Sequence, residues 1–287
     1  MREIIRHTVS GIDGKMKLGD YLRRNMHLSV SLIKRVKYGG ITVGGETVTV
    51  RREVALGDEI VISEPERESE NVVPMDIPLT VLFEDEWILA VDKPVNMPTH
   101  PSRGNHLPTL ANAVAAYIGS PFVFRAVNRL DRDTSGIVLI AKNQHASARL
   151  SRALARGEFE KRYLARLERA PRDLSGIIDA PIARKCPDNI KRIVTPGGRE
   201  AVTEYKILKV WDGGALAELK PITGRTHQLR VHMAYIGSPL YADFLYGERV
   251  EGETYFLRCH YLSFPHPMDD KKIEIFANTD NILRQSD

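Results

Sequence analysis

The formal charge of the chain reverses sign at residue 53, and this reversal limits how the first third can be organised. Residues 15 to 52 carry Lys15, Lys17, Arg23, Arg24, Lys34, Arg35, Lys37, Arg51 and Arg52, opposed only by Asp20 and Glu46. Residues 53 to 86 carry Glu53, Asp58, Glu59, Glu64, Glu66, Glu68, Glu70, Asp76, Glu84, Asp85 and Glu86, opposed only by Arg67. A basic block followed by an acidic one suits a small module with an anion-binding face and then a linker. Charge alone fits two solvated surfaces of opposite sign equally well. The chain as a whole is only mildly basic, at +4 with a pI near 9.0. Nucleic-acid binding therefore does not follow from net charge.

Composition sets the outer bounds. The 287 residues suffice for one large domain, or for a large domain and a small one. The hydrophobic fraction of 43% and the charged fraction of 27% are those of a globular chain with a real core. Cys186 and Cys259 build neither a disulfide framework nor a four-thiolate zinc site. Two isolated thiols fit a reducing compartment. The longest apolar runs, such as Ile137–Ala141, are far short of a membrane span, and residues 1–7 lack the apolar core of a signal peptide. A soluble cytoplasmic protein is the expectation.

The first ~65 residues read as a compact α/β unit. Leu18, Tyr21 and Leu22 recur at helical spacing within Lys17–Asn25. Ser29 is placed to cap a second helix, Val30–Tyr38, with Leu32, Ile33 and Val36 on one face. Gly39-Gly40 ends it. Ile41–Val43, the turn Gly44-Gly45 and Thr47–Val50 form an expected hairpin. Val54–Ile62 adds a strand through the turn Gly57-Asp58. Lys34, Arg35 and Lys37 lie on the second helix, beside the hairpin. The run from Leu28 to Arg35, then Gly39 to Gly45, then Gly57-Asp58-Glu59-Ile60, resembles the S4 RNA-binding domain. That resemblance implies an RNA-binding unit over residues 1–65.

Glu64–Asn71 is polar and charged, and residues 66–79 are expected to link that unit to the rest. Residues 80–287 alternate short strands with a few helices. Thr80–Val91 reads as strand, turn, strand. Further strands are expected at Ile137–Ala141, Lys161–Leu167, Ala201–Leu208, Ala215–Leu219 and Lys272–Phe276. Helices are expected at Leu110–Ile118, Ala146–Ala155 and Thr226–Tyr235. The pattern is α+β, with a large mixed, mostly antiparallel sheet.

Three stretches carry chemistry. Asp92-Lys93-Pro94 runs through Met97-Pro98-Thr99-His100-Pro101, a loop stiffened by three prolines after an apolar strand. Asn128-Arg129-Leu130-Asp131-Arg132-Asp133-Thr134-Ser135-Gly136 places two carboxylates between arginines just before a strand. A nearby guanidinium favours an ionised Asp131, which suits a nucleophile or base. A surface ion pair in a capped turn would give the same sequence. Asp131 and Asp133 are too close to flank a sugar from opposite sides, as a glycosidase pair does. The third stretch, Gly224-Arg225-Thr226-His227-Gln228-Leu229-Arg230-Val231-His232, opens a helix where a phosphate could bind. His227 and His232 lie about 140° apart around a helix, whereas paired metal ligands stand four residues apart on one face. No metal or other cofactor is expected.

Taken in order, these stretches resemble the RluA family of RNA pseudouridine synthases. Ala201-Val202-Thr203-Glu204-Tyr205 and the stretch from Arg258 to Pro267 resemble it too, so the likeness covers residues 80–287. It implies a pseudouridine synthase fold and the isomerisation of uridine to pseudouridine in structured RNA, with no cofactor. Large-subunit ribosomal RNA is the expected substrate, tRNA the other open one, and a monomer the default state. By position, Asp131 matches the catalytic aspartate and Arg129 the arginine that fills the gap left by a flipped base. Tyr163 matches the tyrosine that stacks on the base, Arg225 a basic residue paired with the aspartate, and Leu229 an apolar residue near the uracil. Asn128 departs from the family's usual histidine at that position. The competing reading is a non-catalytic RNA-binding or ribosome-assembly protein on the same fold. A nucleoside hydrolase would leave the basic N-terminal unit unexplained.

Overall fold

The computed structural model describes residues 2–64, 72–101, 108–186 and 190–279. In the N-terminal unit the elements are β1 (Arg2–Thr8), β2 (Met16–Lys17), α1 (Leu18–Arg24), α2 (Val30–Val36), β3 (Ile41–Val43), β4 (Glu46–Thr47), β5 (Glu53–Val54) and β6 (Glu59–Glu64). The Ser29 hydroxyl caps α2 by accepting from the Leu32 amide at 3.1 Å. Leu18, Tyr21 and Leu22 of α1 and Leu32 and Val36 of α2 pack on a four-stranded sheet ordered β1-β6-β3-β4.

Strand β1 of this unit was not anticipated and two expected strands differ. Strand β1 has no alternating pattern, because Ile4 and Ile5 are adjacent. A register shift between Glu3 and Ile5 turns both inward, and both are buried. The expected strand Val54–Ile62 divides at its Gly57 turn into β5, which pairs with β2, and β6, which pairs with β1 and β3. The hairpin strand is also shorter than Thr47–Val50. The Val50 carbonyl accepts instead from the Gly19 amide at the start of α1.

The remaining elements are β7 (Thr80–Glu84), β8 (Ile88–Lys93), α3 (Leu110–Ile118), β9 (Ser135–Ala141), α4 (Gln144–Ala155), β10 (Glu160–Leu167), β11 (Ser175–Asp179), β12 (Ile182–Arg184), β13 (Arg192–Val194), β14 (Val202–Trp211), β15 (Gly214–Pro221), α5 (Gln228–Tyr235), β16 (Leu257–Pro265) and β17 (Lys272–Phe276). Nine strands form one sheet in the order β11-β14-β15-β10-β16-β9-β8-β7, with β17 also on β16. Every pairing is antiparallel except β16 with β9. The fold is α+β with a mixed, mostly antiparallel sheet, as expected. Strand β9 is buried at every residue, so both of its faces are covered. Part of the segment 66–79 lies outside the described residues. Beyond it the Asn112 side chain of α3 donates to the Val73 carbonyl at 2.7 Å, and the Met75 amide donates to the Asn112 carbonyl. No helix among the described residues is long and apolar enough to cross a membrane.

The parallel join is where the sequence is least replaceable. Gly136 of β9 pairs with Cys259 of β16 at φ +108°, and a Cβ there would lie 2.1 Å from the Cys259 carbonyl oxygen. No rotamer relieves a clash with backbone. Gly136→Ala is expected to destabilise the protein by more than about 3 kcal/mol, from the strained φ and the forced separation of two central strands. Urea unfolding measures it.

Candidate active site

The segment from Asn128 to Thr134 is fixed from beneath by its own side chains. Asn128 acts as a piece of strand: its Oδ1 accepts from the Leu139 amide at 2.8 Å and its Nδ2 donates to the Ile137 carbonyl at 3.0 Å. Leu130 is buried, and its carbonyl accepts from the Thr99 hydroxyl at 2.9 Å. Arg132 makes a two-pronged pair with the buried Asp133. Lys93 is wholly buried, and its ammonium donates to the carbonyls of Pro94, Met97 and Arg132. Burial pushes the Lys93 pKa down to about 8, and the carboxylates of Asp133, Asp131 and Asp92 hold it from falling further. The proline-rich loop and the Asp131 loop are thereby stitched together. Facing outward are Arg129 and Arg132, both exposed, and Asp131, with 37% of its side chain exposed.

Opposite Asp131 stands the start of α5. His227 precedes the helix in the left-handed region, at φ 57°. Gln228 secures this turn: its Oε1 accepts from the Arg225 amide and the Thr223 hydroxyl, and its Nε2 donates to the Val202 carbonyl. His227 and Arg230, three residues apart, share a helix face. His227 Nε2 lies 3.8 Å and Arg230 Nη1 4.0 Å from Asp131 Oδ2. Arg230 is held by a two-pronged pair with Asp243 at 2.7 and 2.6 Å, both residues being buried. Its guanidinium carbon lies 4.2 Å from the Tyr255 ring centre and 5.0 Å from that of Tyr246.

This geometry corrects one expectation. The arginine beside the aspartate is Arg230. Arg225 precedes the helix, and its Nε donates to the Glu200 carbonyl at 2.7 Å. Among the described residues it makes no ion pair with Asp131. The two histidines also part ways. His227 Nδ1 meets the Tyr246 hydroxyl at 2.8 Å. His232 is buried, donating from Nε2 to the Ala180 carbonyl and accepting at Nδ1 from the Thr203 hydroxyl.

Tyr163 lies on β10, paired with Cys259 on one side and Leu219 on the other. Burial pushes its hydroxyl well above the ordinary tyrosine range, and its neighbour Cys259 and the Asp131 carboxylate push it the same way. The Cys259 thiol is raised to about 12, again chiefly by burial. Leu229 lies in the same core cluster as Tyr163. Lys34 and Arg35 sit on α2 and Lys37 caps its C-terminus; the core of this unit is a separate cluster. Residues that sequence reasoning passed over are Arg230, Asp243, Tyr246, Tyr255 and Lys93. The three-residue spacing from His227 to Arg230 was the one readable signal. Asp243 and Tyr255 are joined to the site only by the fold.

A family model described as RNA pseudouridylate synthase matches residues 87–235, a span that includes Asp131, Tyr163 and Arg230. The chain belongs to the RNA pseudouridine synthase family. It is 37% identical over 257 residues to a Bacillus subtilis (strain 168) protein named "Uncharacterized RNA pseudouridine synthase YjbO", covering 87% of this chain and 91% of that one. It is 37% identical over 215 residues to the "Ribosomal large subunit pseudouridine synthase D" of Xanthomonas campestris, covering 74% of this chain and 65% of that one. The solved structure titled "Human RNA Pseudouridylate Synthase Domain Containing 4" shares the fold, with a TM-score of 0.59, 21% identity, and coverage of 72% of this chain and 91% of that one. This pseudouridine synthase is an isomerase: it breaks the N1–C1′ bond of a uridine in RNA and joins C5 to C1′.

The synthase's two arginines separate by experiment. Arg230→Lys keeps a charge but loses the fork that grips Asp243, and is expected to lower kcat by about 100-fold or more. Arg225→Lys, which gives up one bond to a carbonyl, is expected to stay within about threefold. Single-turnover rates on an RNA fragment carrying the unmodified target uridine decide it; equal losses would return Arg225 to the site.

Proposed function

We propose that the synthase isomerises specific uridines of large-subunit ribosomal RNA, with Asp131 acting on the ribose of the target. The observation that carries this reading is the setting of Asp131: a half-open carboxylate with His227 and Arg230 within 4.0 Å, on a loop locked from below. The name of the Xanthomonas campestris relative supports the substrate class. So does the "Ribosomal large subunit pseudouridine synthase D" of Vibrio cholerae, 34% identical over 259 residues.

The target base leaves its stack at a cost of a few kcal/mol. Arg129, exposed beside Asp131, fills the space it vacates. The ionised Asp131 then either attacks C1′ or takes a proton from the sugar, and the N1–C1′ bond breaks. The uracil turns, C5 bonds to C1′, C5 gives up its proton and N1 gains one. Tyr163 and Leu229 hold the ring during the turn. The Tyr163 hydroxyl is neutral at rest, so it takes the C5 proton only by passing its own on. Lys34, Arg35 and Lys37 on the S4-like unit meet phosphates at a distance from the target. Purified Asp131→Asn is expected to lose turnover by more than about 1,000-fold. Its RNA dissociation constant is expected to stay near that of the wild type. Binding that falls as far as turnover would contradict the role.

A further inference from the structure

A cleft lined by basic residues lies apart from Asp131. It has a volume of about 700 Å³ and lies where the turn between α1 and α2 approaches α4 and the end of β16. His27 lines it from the N-terminal unit. Arg149, Arg152 and Arg156 of the α4 segment, Phe264 of β16 and Lys272 of β17 line it from the other side. The three arginines stand at i, i+3 and i+7, so they form one stripe, while Ala146, Leu150 and Ala153 face the core. The helix dipole accounts for a cation at the last turn of α4. It does not account for a line of three with a lysine across a cleft.

Three of the four cations have a carboxylate partner, and Arg152 has none among the described residues. Arg149 pairs with Asp270 at 2.7 Å, and Arg156 lies 3.7 Å from Glu158. Lys272 pairs with Glu274 at 2.8 Å. Arg152 reaches only the Ala148 carbonyl, at 3.4 Å, and has no carboxylate partner among the described residues. Of the acids, Asp270 and Glu158 line the cleft, against four cations and His27.

The cleft is joined to the active site by a single strand. Tyr163 pairs with Cys259 near one end of β16, and Glu160 pairs with Ser263 near the other. Ser263 and Phe264 line the cleft. Five residues of strand from Cys259 to Phe264 span about 17 Å.

We propose that this cleft is a second RNA site, which grips phosphates flanking the target uridine between α4 and the N-terminal unit. The proposal rests on the chain's acting on RNA, and not on which RNA it modifies. The stripe supplies guanidinium groups for phosphates, and His27 of the N-terminal unit lines the same cleft, so RNA bound there touches both units.

The test measures binding rather than turnover, so it stands apart from the assignment of Asp131 and of ribosomal RNA. A labelled RNA hairpin with a single-stranded extension is titrated into full-length wild type, into Arg152→Gln with Arg156→Gln, and into Arg169→Gln with Arg172→Gln. Arg152 and Arg156 are exposed, and thermal melting checks that all three proteins fold alike. At physiological ionic strength the cleft pair is expected to weaken binding about tenfold and to flatten the slope of log affinity against log salt by about 1.4. The Arg169 and Arg172 pair, which removes the same charge elsewhere, is expected to stay within about twofold of wild type. A cleft variant that binds like wild type overturns the proposal. Equal weakening by both pairs also overturns it, because the effect is then diffuse surface charge. Polyglutamate that binds wild type as tightly as the hairpin, and loses that affinity in the cleft variant, assigns the cleft to an acidic protein segment instead.

Discussion

The ion pair between Arg230 and Asp243 is the constraint from which the site is built. Burying two opposite charges costs several kcal/mol per ion unless geometry offsets it. Here the offset is two short parallel hydrogen bonds, aromatic rings beside the guanidinium, and backbone amides on the carboxylate. Asp243 Oδ1 also accepts from the Leu245 amide at 3.1 Å, and Ala242 before it is held at φ 59°. Strain of that kind persists where the surroundings over-determine the backbone. The result is a cation whose remaining nitrogen faces Asp131 from a fixed point. Protein dipoles and charges set in place before reaction are what stabilise developing charge without reorganisation.

Two further devices set the other half of the site. Lys93 spends all three ammonium protons on carbonyls of two loops, so the Asp131 loop is positioned by a group that never touches the opening. Gly136 lets β9 lie against β16, and this approach brings the Asp131 loop beside Cys259 and, through it, Tyr163. A side chain on β10, a loop before β9 and a helix after β15 thus converge although about 100 residues separate the first motif from the last.

Much of this was legible in the sequence, for physical reasons. Ser29 before an apolar stripe, the buried run Ile137–Ala141 and the order of the three motif stretches each report a local constraint, and the fold preserves all three. Strand β1 was not legible, because a bulge breaks the alternation on which strand reading depends. Nor was the partner of Asp131. Arg225 and Arg230 stand in the same motif, and only the turn at His227 decides which of them faces inward. Asp243 and Tyr255 sit in an irregular stretch with no periodicity to mark them. Their roles come from contacts between segments, which local pattern does not encode.

The account stands or falls on uridine isomerisation by Asp131 in ribosomal RNA. The direct measurement is a pseudouridine map of cellular RNA from cells with the gene, without it, and complemented with either wild type or Asp131→Asn. The account predicts that one or a few sites in large-subunit ribosomal RNA vanish with the gene and return with wild type alone. A map in which those sites return with Asp131→Asn, or in which every lost site lies outside ribosomal RNA, would contradict it.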